Sequence, residues 1–265
     1  MKLGSLCHML NKNLPTKIRV VCIALGLVVL IFLWEIAIAT NVVSSLLLPH
    51  PLAVCQALGR LLGTSTFWRD IGSTVTTWVL GIAIGTMLGG PIGLGIAINR
   101  YIWAALEPWV EFLRALPSVV LVPIVSLILG VGATSRLACA ALVVFLLMVS
   151  SASAAVRTTR SSYIRLAIAW RATPTQRLVS FYFPSTLSHM AVALRAAIPL
   201  ALIVTVAADM LIATDAGIGR ILMDSAAVFD MNKLYAGVII VGLLGYTGAM
   251  LSSFIERKTI HWSGT

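Results

Sequence analysis

The chain has 265 residues, of which 59% are hydrophobic and 11% charged, with a mean hydropathy of +1.00, where soluble domains average about 45–50% apolar and about 25% charged. A soluble globular enzyme is excluded. The formal charge of +10, from 19 Lys and Arg against 9 Asp and Glu, would suggest nucleic acid in a soluble chain, but so few charges cannot build a basic face; they read as topology markers, with membrane lipid and no nucleic acid as the surroundings.

Residues 1–19 read as a cytosolic tail bearing Lys2, Lys12, Lys17 and Arg19. Leu3-Gly4-Ser5-Leu6-Cys7 resembles a lipoprotein box only superficially, because no apolar stretch precedes it. The run VVCIALGLVVLIFLWEIAIA that follows exceeds the ~7–15-residue apolar core of a cleaved signal and is read as an anchor span. Hydropathy places spans near 20–40, 71–98, 103–131, 137–156, 187–212 and 235–255, each long enough to cross a core of about 30 Å as a helix. Six spans put both ends on one side. With that side cytoplasmic, 13 of the 19 basic residues lie inside and five (Arg60, Arg69, Arg136, Arg220 and Lys233) outside, Arg195 remaining within a span. This positive-inside bias orients the chain with both termini in the cytoplasm. Residues 20–258 then form one transmembrane domain and 259–265 a cytosolic tail.

Between the first two spans, residues 49–63 space Leu52, Leu58, Leu61 and Leu62 helically after two prolines, which suits a short amphipathic helix on the outer face. In the second span Gly81, Gly85, Gly89 and Gly93 recur every four residues. Their bare face admits close approach of a neighbouring helix, either as static packing or as a moving or dimeric interface. Pro91 in the same helix frees a backbone carbonyl. Pro108, Pro117 and Pro123 interrupt the third span; broken helices at membrane depth are tolerated where they are buried in protein or line a cavity. Glu107 and Glu111 share a helix face at its start, with Arg114 in reach of Glu111, as interfacial salt bridges would require.

No GxxxxGK[ST], HExxH or GxSxG motif occurs, and Cys7, Cys22, Cys55 and Cys139 show neither CxxC nor zinc spacing. The expectation is no catalytic residue, no cofactor and no metal. Apart from Glu107, Glu111 and Arg114 at the cytoplasmic start of the third span, the charged or histidine residues of the spans are Glu35, His189, Arg195 and Asp209, near span ends, which argues against redox, proton-pumping or protease chemistry. Transport without covalent chemistry remains, with Pro117, Pro123 and Asp209 as candidates for a pathway or gate.

The longest inner loop, residues 157–186, holds five arginines among apolar and aromatic residues. Its stretch from Ser162 to Phe183 suits one or two short helices broken at Pro174, with Thr173 as a cap. Tyr163, Ile164, Leu166, Trp170, Leu178, Phe181 and Tyr182 would expose an apolar surface, for a docking partner or for lipid headgroups.

Here the sequence resembles the permease subunit of bacterial ABC importers, in particular the branch handling nitrate, aliphatic sulfonates and taurine. That family carries a cytoplasmic E-A-A-x-x-x-G-A signature, a Gln a few residues on and a closing Leu-Pro. In the run from Arg165 to Gln176, with Phe183-Pro184 beyond, Ala167, Ala172, Gln176 and Pro184 fit; Arg165 replaces the acidic residue and Arg171 the glycine. Leu48-Pro49-His50-Pro51, Arg69-Asp70-Ile71-Gly72-Ser73, Arg114-Ala115-Leu116-Pro117 and Ala208-Asp209-Met210-Leu211 followed by Gly217-Ile218-Gly219 are similar to further segments of the branch, in order and over roughly residues 20–258.

The resemblance implies an all-α integral membrane fold of the type I importer permease kind, in a bacterial inner membrane, with about six transmembrane helices and a cytoplasmic coupling helix. Tyr163, Arg165, Ala167, Trp170, Arg171, Ala172 and Gln176 would meet a cytosolic ABC ATPase. A second copy or a paralogous permease would complete the pathway, and an extracytoplasmic binding protein would deliver the solute. A self-contained secondary transporter or channel would instead show inverted repeats or central charges; a non-transporting structural subunit is the third reading.

Overall fold

The computed structural model describes residues 15–158, 169–171, 173, 176, 183–212 and 215–259, and every regular element among them is helical. In the first helix, α1 (Thr16–Ala39), the stretch Val20–Ala39 is apolar but for Glu35 and almost wholly exposed, as a helix facing lipid or another chain would be. Its far end is tied down: the Trp34 indole donates to the Pro49 carbonyl at 3.1 Å and lies 5.8 Å from the Tyr235 ring, and Glu35 meets His50 at 3.0 Å.

Proline at the first position starts α2 (Pro51–Leu62), a tolerated place because that N–H is unpaired in any helix. Val54, Ala57 and Leu61 are buried, whereas Leu52 and Leu62 are exposed. Of the four spaced leucines, Leu58 and Leu61 therefore pack inward and Leu52 and Leu62 do not. Where both surroundings are apolar, leucine spacing does not reveal which face meets protein.

The longest element, α3 (Ser65–Ile98), runs 34 residues through Pro91, about 51 Å at 1.5 Å per residue. Asn99 then caps α4 (Arg100–Ala115), its side-chain oxygen accepting from the Tyr101 and Ile102 amides at 3.0 and 3.3 Å. Leu116, held extended ahead of Pro117 at ψ 135°, ends α4, because a residue before proline is driven out of the helical region. A 3-10 turn (Ser118–Val120) leads into α5 (Leu121–Leu129), and the chain bends by 91° between α4 and this second piece. The proline-interrupted span expected over 103–131 is thus a bent pair, broken at Pro117. Pro123 lies inside α5, its carbonyl accepting from Ser126 at 2.8 Å.

Gly130 and Gly132, at φ 83° and 148°, turn the chain into α6 (Ala133–Thr158), a conformation that a side chain would oppose. After it come α7 (Phe183–Leu211), α8 (Ile218–Ala227) and α9 (Met231–Thr259). Among the described residues five helices are long and apolar enough to span a membrane, six spans in all if the bent pair counts as one.

The core forms where α3, α6 and α7 pack together, with Trp78, Val144, Met148, Ala197 and Ala201 buried, and Ile218 and Ala236 added from α8 and α9. A second cluster seats Val122 of α5 against Cys139 and Val143 of α6 and Val204 and Ala208 of α7.

Gly81, Gly85, Gly89 and Gly93 are buried along the α3–α6 contact. A Cβ on Gly85 would stand 2.6 Å from the Ala141 carbonyl oxygen, one on Gly89 2.7 Å from that of Phe145, and one on Gly93 2.7 Å from Val149 Cα. These are backbone atoms that no rotamer change can move aside, so a side chain at any of these positions would force α3 and α6 apart.

Candidate functional site

At one end of the bundle, polar groups from four helices converge around Asp209, near the C-terminus of α7. Arg136 lies in the first turn of α6 with its side chain 3% exposed, and its Nη2 is 2.5 Å from Asp209 Oδ1, close but not aligned as a hydrogen bond. Thr74 of α3 donates to Asp209 Oδ2 at 2.6 Å. Both charges are removed from solvent, so each requires the other.

The α7–α8 connection is stitched into the same cluster. Arg136 Nη1 donates to the Ala216 carbonyl at 3.0 Å and to Ser73 at 3.2 Å. The Gly217 amide donates to Asp70 at 3.0 Å, and the Ile218 amide to Thr74 at 2.9 Å. Asp70, itself buried, also meets Arg220 at 3.4 Å, while Arg69 donates to the Asp215 carbonyl at 3.2 Å. Carboxylates at the start of α8 suit its unpaired amides.

The Gly217-Ile218-Gly219 run has a packing cause. Gly217 sits at φ 148°, and a Cβ on it would lie 2.5 Å from Asp209 Oδ2; one on Gly219 would lie 2.5 Å from Asp209 Cβ. The acidic residue and the paired glycines, eight and ten positions further along the chain, are two halves of one contact.

Arg136 was expected in an outer loop as a topology marker, but it is a buried partner. Asp70 and Thr74 join the same cluster without any sequence feature that singles them out. The available signal was Asp209 itself, since a carboxylate in an apolar span calls for a cation.

At the opposite end, α4 lies along α6. Arg157 meets Glu107 at 2.7 Å, Arg114 donates to Ser150 at 2.5 Å, Ser150 reaches Glu111 at 3.3 Å, and Glu111 meets Arg114 at 3.4 Å. Just past α6 comes the arginine-rich loop. Of the residues expected to dock there, Trp170, Arg171 and Gln176 are described and exposed, with Trp170 at 75%; Tyr163, Arg165, Ala167 and Ala172 lie outside the described residues.

Ala169 is helical, Trp170 and Arg171 form a turn, and Gln176 is helical again. The Thr173 amide donates to Gln176 Oε1 at 2.9 Å and the Gln176 amide to Thr173 Oγ1 at 3.3 Å, a reciprocal capping box. Arg171, at φ 52°, occupies the left-handed region that favours glycine. It is also the position where the resembled signature has glycine. Pro117, at the bend, and Pro123 are exposed and stand apart from Asp209 in the described contacts.

Residues 81–261 match the family model described as binding-protein-dependent transport system inner membrane component. The chain is 24% identical over 252 residues to the taurine transport system permease protein TauC of Escherichia coli (strain K12), covering 93% of this chain and 91% of that protein. It is 23% identical to the putative aliphatic sulfonates transport permease protein SsuC of Bacillus subtilis (strain 168), covering 88% and 84% respectively. The fold is similar to that of a chain in the inward-facing MetNI methionine ABC transporter, with a TM-score of 0.64 at 15% identity over 72% of this chain and 94% of that one. Matched over more than half its length by that family model and sharing the helical fold, the chain belongs to the binding-protein-dependent transport system inner membrane component family: it is the multi-pass permease subunit of an ABC importer, a class in which the ATPase is a separate subunit.

Proposed function

We propose that the chain forms half of the pathway of an importer for a small oxyanion of the nitrate, aliphatic sulfonate or taurine kind, handed over by an extracytoplasmic binding protein. Residues 20–258 act as one transmembrane permease domain, paired with a second copy or a paralogous permease. The tails 1–19 and 259–265 and the loop 157–186 face the cytoplasm, and the Asp209 end of the bundle faces outward. The observation that carries the substrate reading is the likeness to two sulfonate-type permeases along nearly the whole chain.

The loop 157–186 docks the ATPase. Support comes from the 75% exposure of Trp170 beside a turn leading into a capped helix start: a large exposed ring on a rigid element suits insertion into a protein cleft. Docking of this helix couples ATP-driven closure to the membrane helices. At the bend beside Pro117 the chain interrupts its own backbone pairing, which at membrane depth suits a pathway lining.

The test uses the full complex with its ATPase in lipid nanodiscs. Binding proteins loaded with taurine, an alkanesulfonate or nitrate are added in turn, and ATP hydrolysis is followed; stimulation by one of them supports the reading, and stimulation by none while the ATPase stays bound overturns the substrate class. Trp170→Gly and Ala167→Pro should release the ATPase in a pull-down with the permease still extractable as a folded protein. Unchanged ATPase recovery would overturn the docking assignment.

A further inference from the structure

Where α2, α9 and the turn ahead of α3 meet, Ala57, Arg60, Leu61, Thr64, Asp230 and Lys233 line a cavity of about 210 Å³. Ala57 and Leu61 are buried and form its apolar wall, Lys233 is half-buried, and Arg60, Thr64 and Asp230 are exposed. Two cations and a carboxylate share this small space, yet among the described residues no ion pair joins them. Local hydrogen bonds fix what each group can still offer. The Lys233 amide donates to Asp230 Oδ1 at 3.1 Å, capping α9 and leaving the other carboxylate oxygen as an acceptor. Thr64 gives its hydroxyl proton to the Leu61 carbonyl at 2.7 Å, so its oxygen too can only accept. The side chains of Arg60 and Lys233 can only donate. A ligand matched to both sets carries an anion and, close by, a cation that bears N–H groups.

The cavity lies at the depth where a membrane-spanning helix meets headgroups. The apolar stretches of α3 and α9 begin at Ser65 and Met231, directly beside Thr64 and Asp230. Trp34 packs on Tyr235 at this end of α9, and Trp68 is exposed in the first turn of α3, as the aromatic residues of an interfacial belt are. No residue of α5 or α7 lines the cavity, so it stands apart from the bend at Pro117. At about 210 Å³ it is smaller than the roughly 300–1,000 Å³ of pockets that enclose a drug-sized ligand, and suits a headgroup whose chains continue outside.

We propose that this cavity seats the aminoethyl phosphodiester headgroup of a zwitterionic phospholipid, with Arg60 and Lys233 on its phosphate and Asp230 and Thr64 on its ammonium. Basic pockets beside membrane helices hold lipid phosphates in this way, and the carboxylate adds a choice among headgroups. The site depends neither on ATPase docking nor on the class of solute carried.

The experiment is native mass spectrometry of the full complex with its ATPase, purified in detergent and titrated with phosphatidylethanolamine, phosphatidylglycerol or phosphatidylcholine of the same acyl chains. Water-soluble glycerophosphoethanolamine is a further arm. The parent chain should hold phosphatidylethanolamine most tightly, since the quaternary nitrogen of phosphatidylcholine has no proton to give. Arg60→Gln combined with Lys233→Gln should weaken that binding by roughly tenfold or more, whereas Arg60→Lys, which keeps the charge, should retain it. Asp230→Asn keeps a capping side chain for α9 and should bind phosphatidylglycerol as the parent does, which shows the fold intact, while losing the preference for phosphatidylethanolamine. Undiminished binding in the double glutamine variant, an unchanged preference in Asp230→Asn, or no preference in the parent overturns the proposal. So does glycerophosphoethanolamine binding as tightly as the lipid, which would make the cavity a site for a soluble solute.

Discussion

Arg136 and Asp209 are 73 positions apart in the sequence, yet Nη2 of one lies 2.5 Å from Oδ1 of the other, with both side chains at most 3% exposed. Removing one member strands a charge in an apolar interior. Arg136→Met or Asp209→Leu alone should cost roughly 3–5 kcal/mol, whereas the double replacement, which strands neither, should recover most of that loss. Thermal unfolding of the detergent-solubilised permease, followed by size-exclusion fluorescence, measures the three variants. Equal loss in the double and single variants would show that the pair holds Ser73 and Ala216 in place rather than merely neutralising itself.

The α3–α6 seam permits a sharper contrast within one helix. Gly85→Ala places a methyl 2.6 Å from the Ala141 carbonyl oxygen, while Gly95→Ala meets nothing within 4 Å. The first should destabilise by about 1–3 kcal/mol through overpacking. The second should be neutral or gain up to about 1 kcal/mol from the better helix former. Similar melting temperatures for the two would refute the backbone contact.

Helix number and the location of the chain break were legible because they are local properties. An apolar run long enough to span lipid needs no partner to be recognised, and proline at 117 acts on its own neighbour. The 91° bend depends on how Val122 and Glu107 grip α6 at separate heights, which no local pattern encodes. The same reason hid the packed face of α2: Leu52 and Leu61 are chemically alike, one exposed and one buried, since lipid and protein interior select the same side chains. Arg136 was illegible in another way, because a single cation after a glycine turn looks like a loop charge until the helix beginning at Ala133 folds it inward.

At Arg171 a departure from the resembled signature acquires a conformational meaning. A non-glycine residue at φ 52° carries roughly 1–2 kcal/mol of strain, against which the extra freedom of glycine in the unfolded chain weighs about 0.4–1 kcal/mol. Arg171→Gly should therefore stabilise the turn by a net amount on the order of 1 kcal/mol. Arg171→Ala removes the charge but keeps the strain, so it separates the two effects. Hydrogen exchange of the loop amides should slow for glycine and not for alanine; equal behaviour would assign any change to charge.

The capping box just beyond that turn predicts a graded effect on the same loop. Thr173 Oγ1 accepts from the Gln176 amide, and Gln176 Oε1 accepts from the Thr173 amide in return. Thr173→Ala removes the first bond and should cost about 1 kcal/mol of local helix stability, and Thr173→Ser or Thr173→Asp, which keep an acceptor there, should cost little. Gln176→Ala removes only the reciprocal bond and should cost less than Thr173→Ala. If the loop docks the ATPase as proposed, recovery of the ATPase in a pull-down should rank in that order, since a frayed helix start must be re-ordered on binding. Full recovery with Thr173→Ala, alongside unchanged exchange of the loop amides, would mean that the box does not control the docking conformation.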